Sequence, residues 1–131
     1  MARIHRPGHD ITLDSAADLS ANQFKFVMGA AAVAGSQQAR AAVATAGART
    51  IGVVQNKPNA PNLGAVVRIQ GTSKLVVDGS TTPIAVGSTL KSDGSGRGIV
   101  AVAADNAGAI ALEASTAAND IIEAIVILAT A

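Results

Sequence analysis

The chain has 131 residues, a formal net charge of +1 and no cysteine, and its 49% apolar content includes only two aromatic side chains, Phe24 and Phe26. This length fits one domain around a single core, and no uninterrupted apolar run approaches the ~18 residues of a membrane-spanning helix. The small charge offers no basic surplus for a general grip on nucleic acid, and without cysteine there is neither a disulfide framework nor a thiolate metal site.

Alanine supplies much of the apolar content. A fully buried Val, Leu or Ile contributes roughly 1.5–3 kcal/mol, and Ala far less. A core made this way is thin for its residue count, so further apolar surface is expected to be buried between subunits or against a partner.

Residues 1–22 differ in character from the rest of the chain. They scatter Arg3, His5, Arg6, His9, Asp10, Asp14 and Asp18 among apolar residues, and Pro7-Gly8 interrupts any regular element. The segment reads as an extended N-terminal arm ahead of a β-domain at 23–131, and it lacks the apolar stretch a secretory signal needs. Gln23–Met28 alternates, with Phe24, Phe26 and Met28 on one face and Lys25 on the other, which is the period of a half-buried strand. Gly29–Gly47 is ambiguous. Ser36–Ala46 has the alanine content and the capping serine of a helix, whereas Arg40–Thr45 also fits a strand ending at Gly47.

Beyond Gly47 the pattern is a series of short strands: Thr50–Gln55, Gly64–Gln70, Lys74–Val77, Ile84–Val86 with Thr89–Leu90, Gly98–Ala103, Ala109–Glu113 and Ile121–Leu128. Turns are expected at Gly71-Thr72, Asp78-Gly79 and Ser92–Gly96. The last run is apolar on both faces, with Ile121, Ile125 and Ile127 opposite Ile122, Ala124, Val126 and Leu128. Such a strand is either central or meets another subunit. The whole predicts an all-β fold, a small β-barrel or β-sandwich.

Catalytic chemistry finds little support. His5 and His9 are separated by Pro7-Gly8, which spoils a helical metal pair. Ser73-Lys74 would point to opposite faces of a strand and not form a dyad, and Ser73 reads as a turn residue. Gly94–Gly98 lacks the Gly-Lys-Ser/Thr ending of a phosphate loop, and a hairpin turn accounts for it, with Arg97 capping that turn or reaching a neighbour. Glu113 and Glu123 have no Trp or Tyr with which to line a sugar groove, and single-strand nucleic-acid binding by stacking is weakened for the same reason. The chain is therefore read as no enzyme, with no cofactor and no metal.

The succession Thr50-Ile51-Gly52-Val53-Val54-Gln55-Asn56-Lys57-Pro58, Ala65-Val66-Val67-Arg68-Ile69, Gly71-Thr72-Ser73-Lys74-Leu75-Val76, Gly87-Ser88-Thr89-Leu90-Lys91-Ser92-Asp93, Gly96-Arg97-Gly98, Gly108–Ala114 and Asp120-Ile121-Ile122 resembles the capsid decoration, or cement, proteins of tailed bacteriophages. The likeness runs over about residues 23–128 and favours a strand at 40–45. It implies a compact β-module on the outside of an assembled head, commonly a homotrimer, that bridges neighbouring capsomers and resists internal DNA pressure. Its partners would be the major capsid protein and copies of itself, with no nucleic acid and no membrane. It would be made in the host cytoplasm and reside on the outer capsid surface of the virion. Arg3, His5, Arg6, Phe24, Phe26, Arg68, Arg97, Ile121, Ile125 and Ile127 are the candidate capsid or subunit interface. Other readings are a tail-tube or head-fibre part of a virion, or a small ligand- or carbohydrate-binding β module.

Overall fold

The computed structural model describes residues 8–130. Among these there is no helix. Nine strands follow in order: β1 (Gly8–Asp14), β2 (Phe26–Ala30), β3 (Arg40–Val43), β4 (Gly52–Val54), β5 (Gly64–Asp78), β6 (Thr89–Ser92), β7 (Gly98–Val100), β8 (Asn106–Ala111) and β9 (Ala118–Thr130). β5 pairs with β7, β7 with β6, β6 with β8, β8 with β9, and β9 returns to β5, so these five strands close into a small barrel. Closure leaves this part of the sheet without an open edge. The all-β barrel expected from the sequence is what the chain forms.

A smaller lobe shares β5 with the barrel. Residues 64–71 of β5 pair with β1 and residues 71–78 with β9, while β4 pairs at Val67 and Arg68. β4 continues to β2 and β2 to β3. Ser15, just past β1, bridges back to Ala41 of β3, which nearly closes a second ring. Each ring has its own apolar filling. Phe26, Val53, Leu75, Val77, Ile84, Leu90, Ile122 and Val126 pack in the barrel with several alanines, and Leu19, Val27, Ala41, Val54, Ala65 and Val67 fill the small lobe.

β2 and β4 lie between the two fillings. Successive side chains of a strand point to opposite faces, so Phe26 enters the barrel and Val27 the small lobe, and Val53 and Val54 divide the same way. These are the strands covered on both sides. The run expected to be so covered, β9, is not: Ile122, Ala124 and Val126 are buried inward, while Ile121 and Ile125 remain exposed outward.

Four further expectations meet the structure. The Gly71-Thr72 turn does not form, because β5 runs unbroken for 15 residues. Gly71 instead sits at φ 100°, a conformation open to glycine at little cost, and there the strand passes from β1 to β9 without ending its ladder. Ile84–Val86 is no strand but a single bridge from Ile84 to Ser115. The ambiguous stretch at 36–46 contains strand β3. Its pairing with β2 and the burial of Ala41 outweigh the helix propensity of alanine, a weak prior against tertiary contacts. The first 22 residues are extended from Gly8, yet they belong to the sheet: β1 is paired along β5 and Leu19 is buried in the small lobe.

Candidate functional site

The outer wall of β9 is the most apolar exposed surface that the strands present. Ile121 is 52% exposed and Ile125 36%, with Ile127 half-buried beside them. The neighbouring strands continue the strip, since Ile110 of β8 registers with Ile125 and Val76 of β5 with Ile121. At one end the strip runs into the barrel rim, where Val86, Val102 and Leu112 stand out at 67%, 64% and 39% exposure. Backbone bonds hold these loops together. Gly87 N–H donates to Ala111 O, Ala101 N–H to Thr89 O and Leu112 N–H to Glu123 O. Sequence reasoning found the β9 isoleucines through their alternation and missed Val86, Val102 and Leu112, because loop residues carry no period.

The other sequence-predicted interface residues are placed differently. Arg3, His5 and Arg6 lie outside the described residues. Phe26 is fully buried, so it offers no side-chain surface to a partner. The only aromatic ring buried in the barrel goes to the space that small side chains leave. Phe24 is half-buried at φ 64°, with the Lys74 ammonium 5.7 Å over its ring.

Arg68 and Arg97 act inside the chain. The Arg68 guanidinium grips Asp10 with two hydrogen bonds, Nε to Oδ1 at 2.7 Å and Nη2 to Oδ2 at 3.1 Å, and donates a third to Thr72 O. This fixes β1 to β5 and holds the Asp10 carboxyl below its usual range, chiefly by the Arg68 hydrogen bond. Arg97 bonds Asp93 Oδ2 at 2.8 Å and Asn119 Oδ1 at 3.1 Å and meets Asp78 at 3.3 Å. It ties the β6–β7 hairpin to the ends of β5 and β9. Asp93 also accepts the backbone N–H groups of Ser95 and Arg97, and Gly96 takes φ 81°. The Gly-rich cluster is thus a hairpin turn capped by its own aspartate.

The residues weighed for chemistry are separated. Ser73 is wholly buried in mid-strand, not in a turn; its hydroxyl accepts from Gln55 Nε2 and donates to Lys74 O, and Lys74 points to the opposite, exposed face. Glu113 accepts the backbone N–H of Glu123 at 2.8 Å. Among the described residues no three His, Cys, Asp or Glu side chains gather as a metal site would require. A cleft of about 30 Å³ between β1 and the β2–β3 loop, lined by Asp14, Val33 and Arg40 among others, holds little more than water.

No protein-family model matches the chain, and no curated sequence does either. The fold does have a counterpart. The crystal structure of the head fibre gp8.5 N base of bacteriophage phi29 superposes with a TM-score of 0.65 over 92% of this chain and 94% of that one, at 12% sequence identity. At that identity the likeness is one of fold.

Proposed function

We propose that this chain is a structural part of a tailed-bacteriophage virion, a decoration protein that binds the outside of the head, bridges neighbouring capsomers and stiffens the shell against internal DNA pressure. One observation carries the reading above others. Nearly the whole fold coincides with a module that phi29 uses in a head fibre, and this agrees with the succession of strand and turn phrases that resembles phage cement proteins. The exposed apolar wall and rim of the barrel fit a part whose stability is completed by assembly, through contacts with the major capsid protein and with copies of itself. No residue is assigned a catalytic role.

A second reading, the base of a head fibre, is favoured by the identity of the phi29 counterpart. Cryogenic electron microscopy of the parent particle separates the two, because a decoration protein appears as low knobs repeated over the capsid lattice and a fibre base carries a projecting rod. The biochemical test is co-sedimentation of the purified chain with undecorated heads. Saturable binding is expected, together with greater resistance of the heads to heat. Absence of binding to both undecorated heads and isolated capsomers would overturn the reading.

A further inference from the structure

The two lobes carry opposite charge. From Gly8 to Gln70 there are five cations against three carboxylates, a balance of +2, and from Gly71 onward three cations against six carboxylates, a balance of −3. Part of this is neutralised internally. Arg68 pairs with Asp10 in the small lobe, and in the barrel Lys91 pairs with Asp105 and Arg97 with Asp93 and Asp78. What remains faces outward with unequal sign. Arg40, Arg49 and Lys57 stand on the small lobe against Asp14 and Asp18. On the barrel, Glu113 and Asp120 flank the apolar wall and accept only from neutral donors, the Glu123 N–H for one and the Ser115 hydroxyl and Ile121 N–H for the other.

Exposed apolar side chains fall at the same two poles. Val86, Val102, Leu112, Ile121 and Ile125 belong to the barrel, and Val33 and Leu63 to the small lobe. Leu63 immediately precedes β5, and Ile121 registers with Val76 near its end. The poles are therefore separated by thirteen residues of strand, roughly 40 Å if straight. Arg40 lies beside the small-lobe pole, its Nη1 bonded to Asn62, and Lys57 follows Asn56, whose amide bonds Gly64 O.

We propose that copies of this chain associate head to tail, the acid-flanked apolar wall of one barrel seating on the basic small lobe of the next. The charge balance decides the polarity. A like-with-like contact would set −3 against −3, whereas head-to-tail sets −3 against +2, and like-charge juxtaposition is a strong penalty at an interface. A contact of this kind uses two different patches, so copies close into a ring if the rotation allows. The inference deepens the self-association part of the proposed function and does not need the head. Its test accordingly uses the purified full chain alone, so failure here leaves head binding to be judged by its own assay.

The experiment is sedimentation equilibrium of the wild-type chain and of two charge-reversed variants, Glu113→Lys/Asp120→Lys and Arg49→Glu/Lys57→Glu, at low and high salt. Wild type is expected to exceed monomer mass at low salt and to weaken as salt screens the contact. Each variant alone is expected to associate roughly tenfold more weakly or worse, and an equimolar mixture of the two to recover higher mass. If Asp120→Lys disturbs the Ser115 loop, as thermal melting would reveal, Glu113→Lys by itself serves as the barrel variant. A monomer at every salt overturns the proposal. So does association indifferent to the small-lobe reversal, which would signify barrel-to-barrel contact, and so does a mixture that stays monomeric.

Discussion

The barrel holds one buried ring, and the close approach of Gly108 to it gives a sharp test of the packing. Phe26 is fully buried; truncation to Ala is expected to cost about 3–5 kcal/mol, out of a total stability of roughly 7–20 kcal/mol for a chain of this length. A Cβ added at Gly108 would lie 2.6 Å from Phe26 Cε1, 3.1 Å from its Cζ and 2.5 Å from Thr50 Oγ1. Ordinary carbon contacts settle at about 3.5–4.0 Å, so Gly108→Ala overpacks the wild-type barrel by about 1–3 kcal/mol. With the ring removed, the same methyl enters the vacated space. The double variant Phe26→Ala/Gly108→Ala should therefore be less destabilised than the sum of its parts by about 1–2 kcal/mol. Urea unfolding followed by far-ultraviolet circular dichroism is the suitable assay, because the chain has neither Trp nor Tyr for fluorescence. Additivity within about 0.5 kcal/mol would refute the contact between ring and glycine.

Three other outcomes are expected. Gly71→Ala, at φ 100°, should lower stability by about 1–3 kcal/mol, whereas Gly29→Ala, whose added Cβ has Ala39 Cβ at 3.8 Å as its nearest neighbour, should be close to neutral by the same urea midpoint. The carboxyls of Asp10, Asp78 and Asp105 are all held below their ordinary values, first by Arg68, by the Ser80 hydroxyl and by Lys91 respectively. Carboxyls lowered in the folded state contribute stability that is present above about pH 4 and is lost as pH falls through their folded values; the urea midpoint should drop there, and Asp10→Asn should make the drop shallower. Arg97→Lys keeps the charge but not the planar fork that spans Asp93, Asp78 and Asn119. It should cost about 1 kcal/mol, and amide exchange in the 93–97 hairpin should quicken.

What the residues disclosed and what they hid have physical reasons. Period-2 alternation and Gly, Asn and Asp punctuation were enough to reveal an all-β chain and to divide β9 into its two faces. The bend at Gly71 was hidden because a positive-φ glycine inside a continuing strand has the same local signature as one ending it. Phe26 read as one member of a half-exposed stripe; only the closure of the barrel, which depends on residues as far away as Gly108, sends it inward. Strand β3 was undecided locally because alanine suits a helix, and the partner that overrules it, β2, is a tertiary neighbour. Of the candidate interface, the β9 isoleucines lie on an open wall. Arg68 and Arg97 were legible as charged turn and strand residues, but their partners Asp10 and Asp78 are dozens of positions away or come from another loop, and no spacing rule links them.

β5 has a consequence for how the molecule comes apart. Its first half supplies Ala65 and Val67 to one apolar filling and its second half Leu75 and Val77 to the other, while Val27 with Phe26 and Val54 with Val53 sew the same two compartments together on β2 and β4. Neither compartment has a seam along which it can open while the other stays shut. Melting should proceed as one event, and the slowest-exchanging amides should cluster in the interior of β5 and in its contacts with β4 and β9.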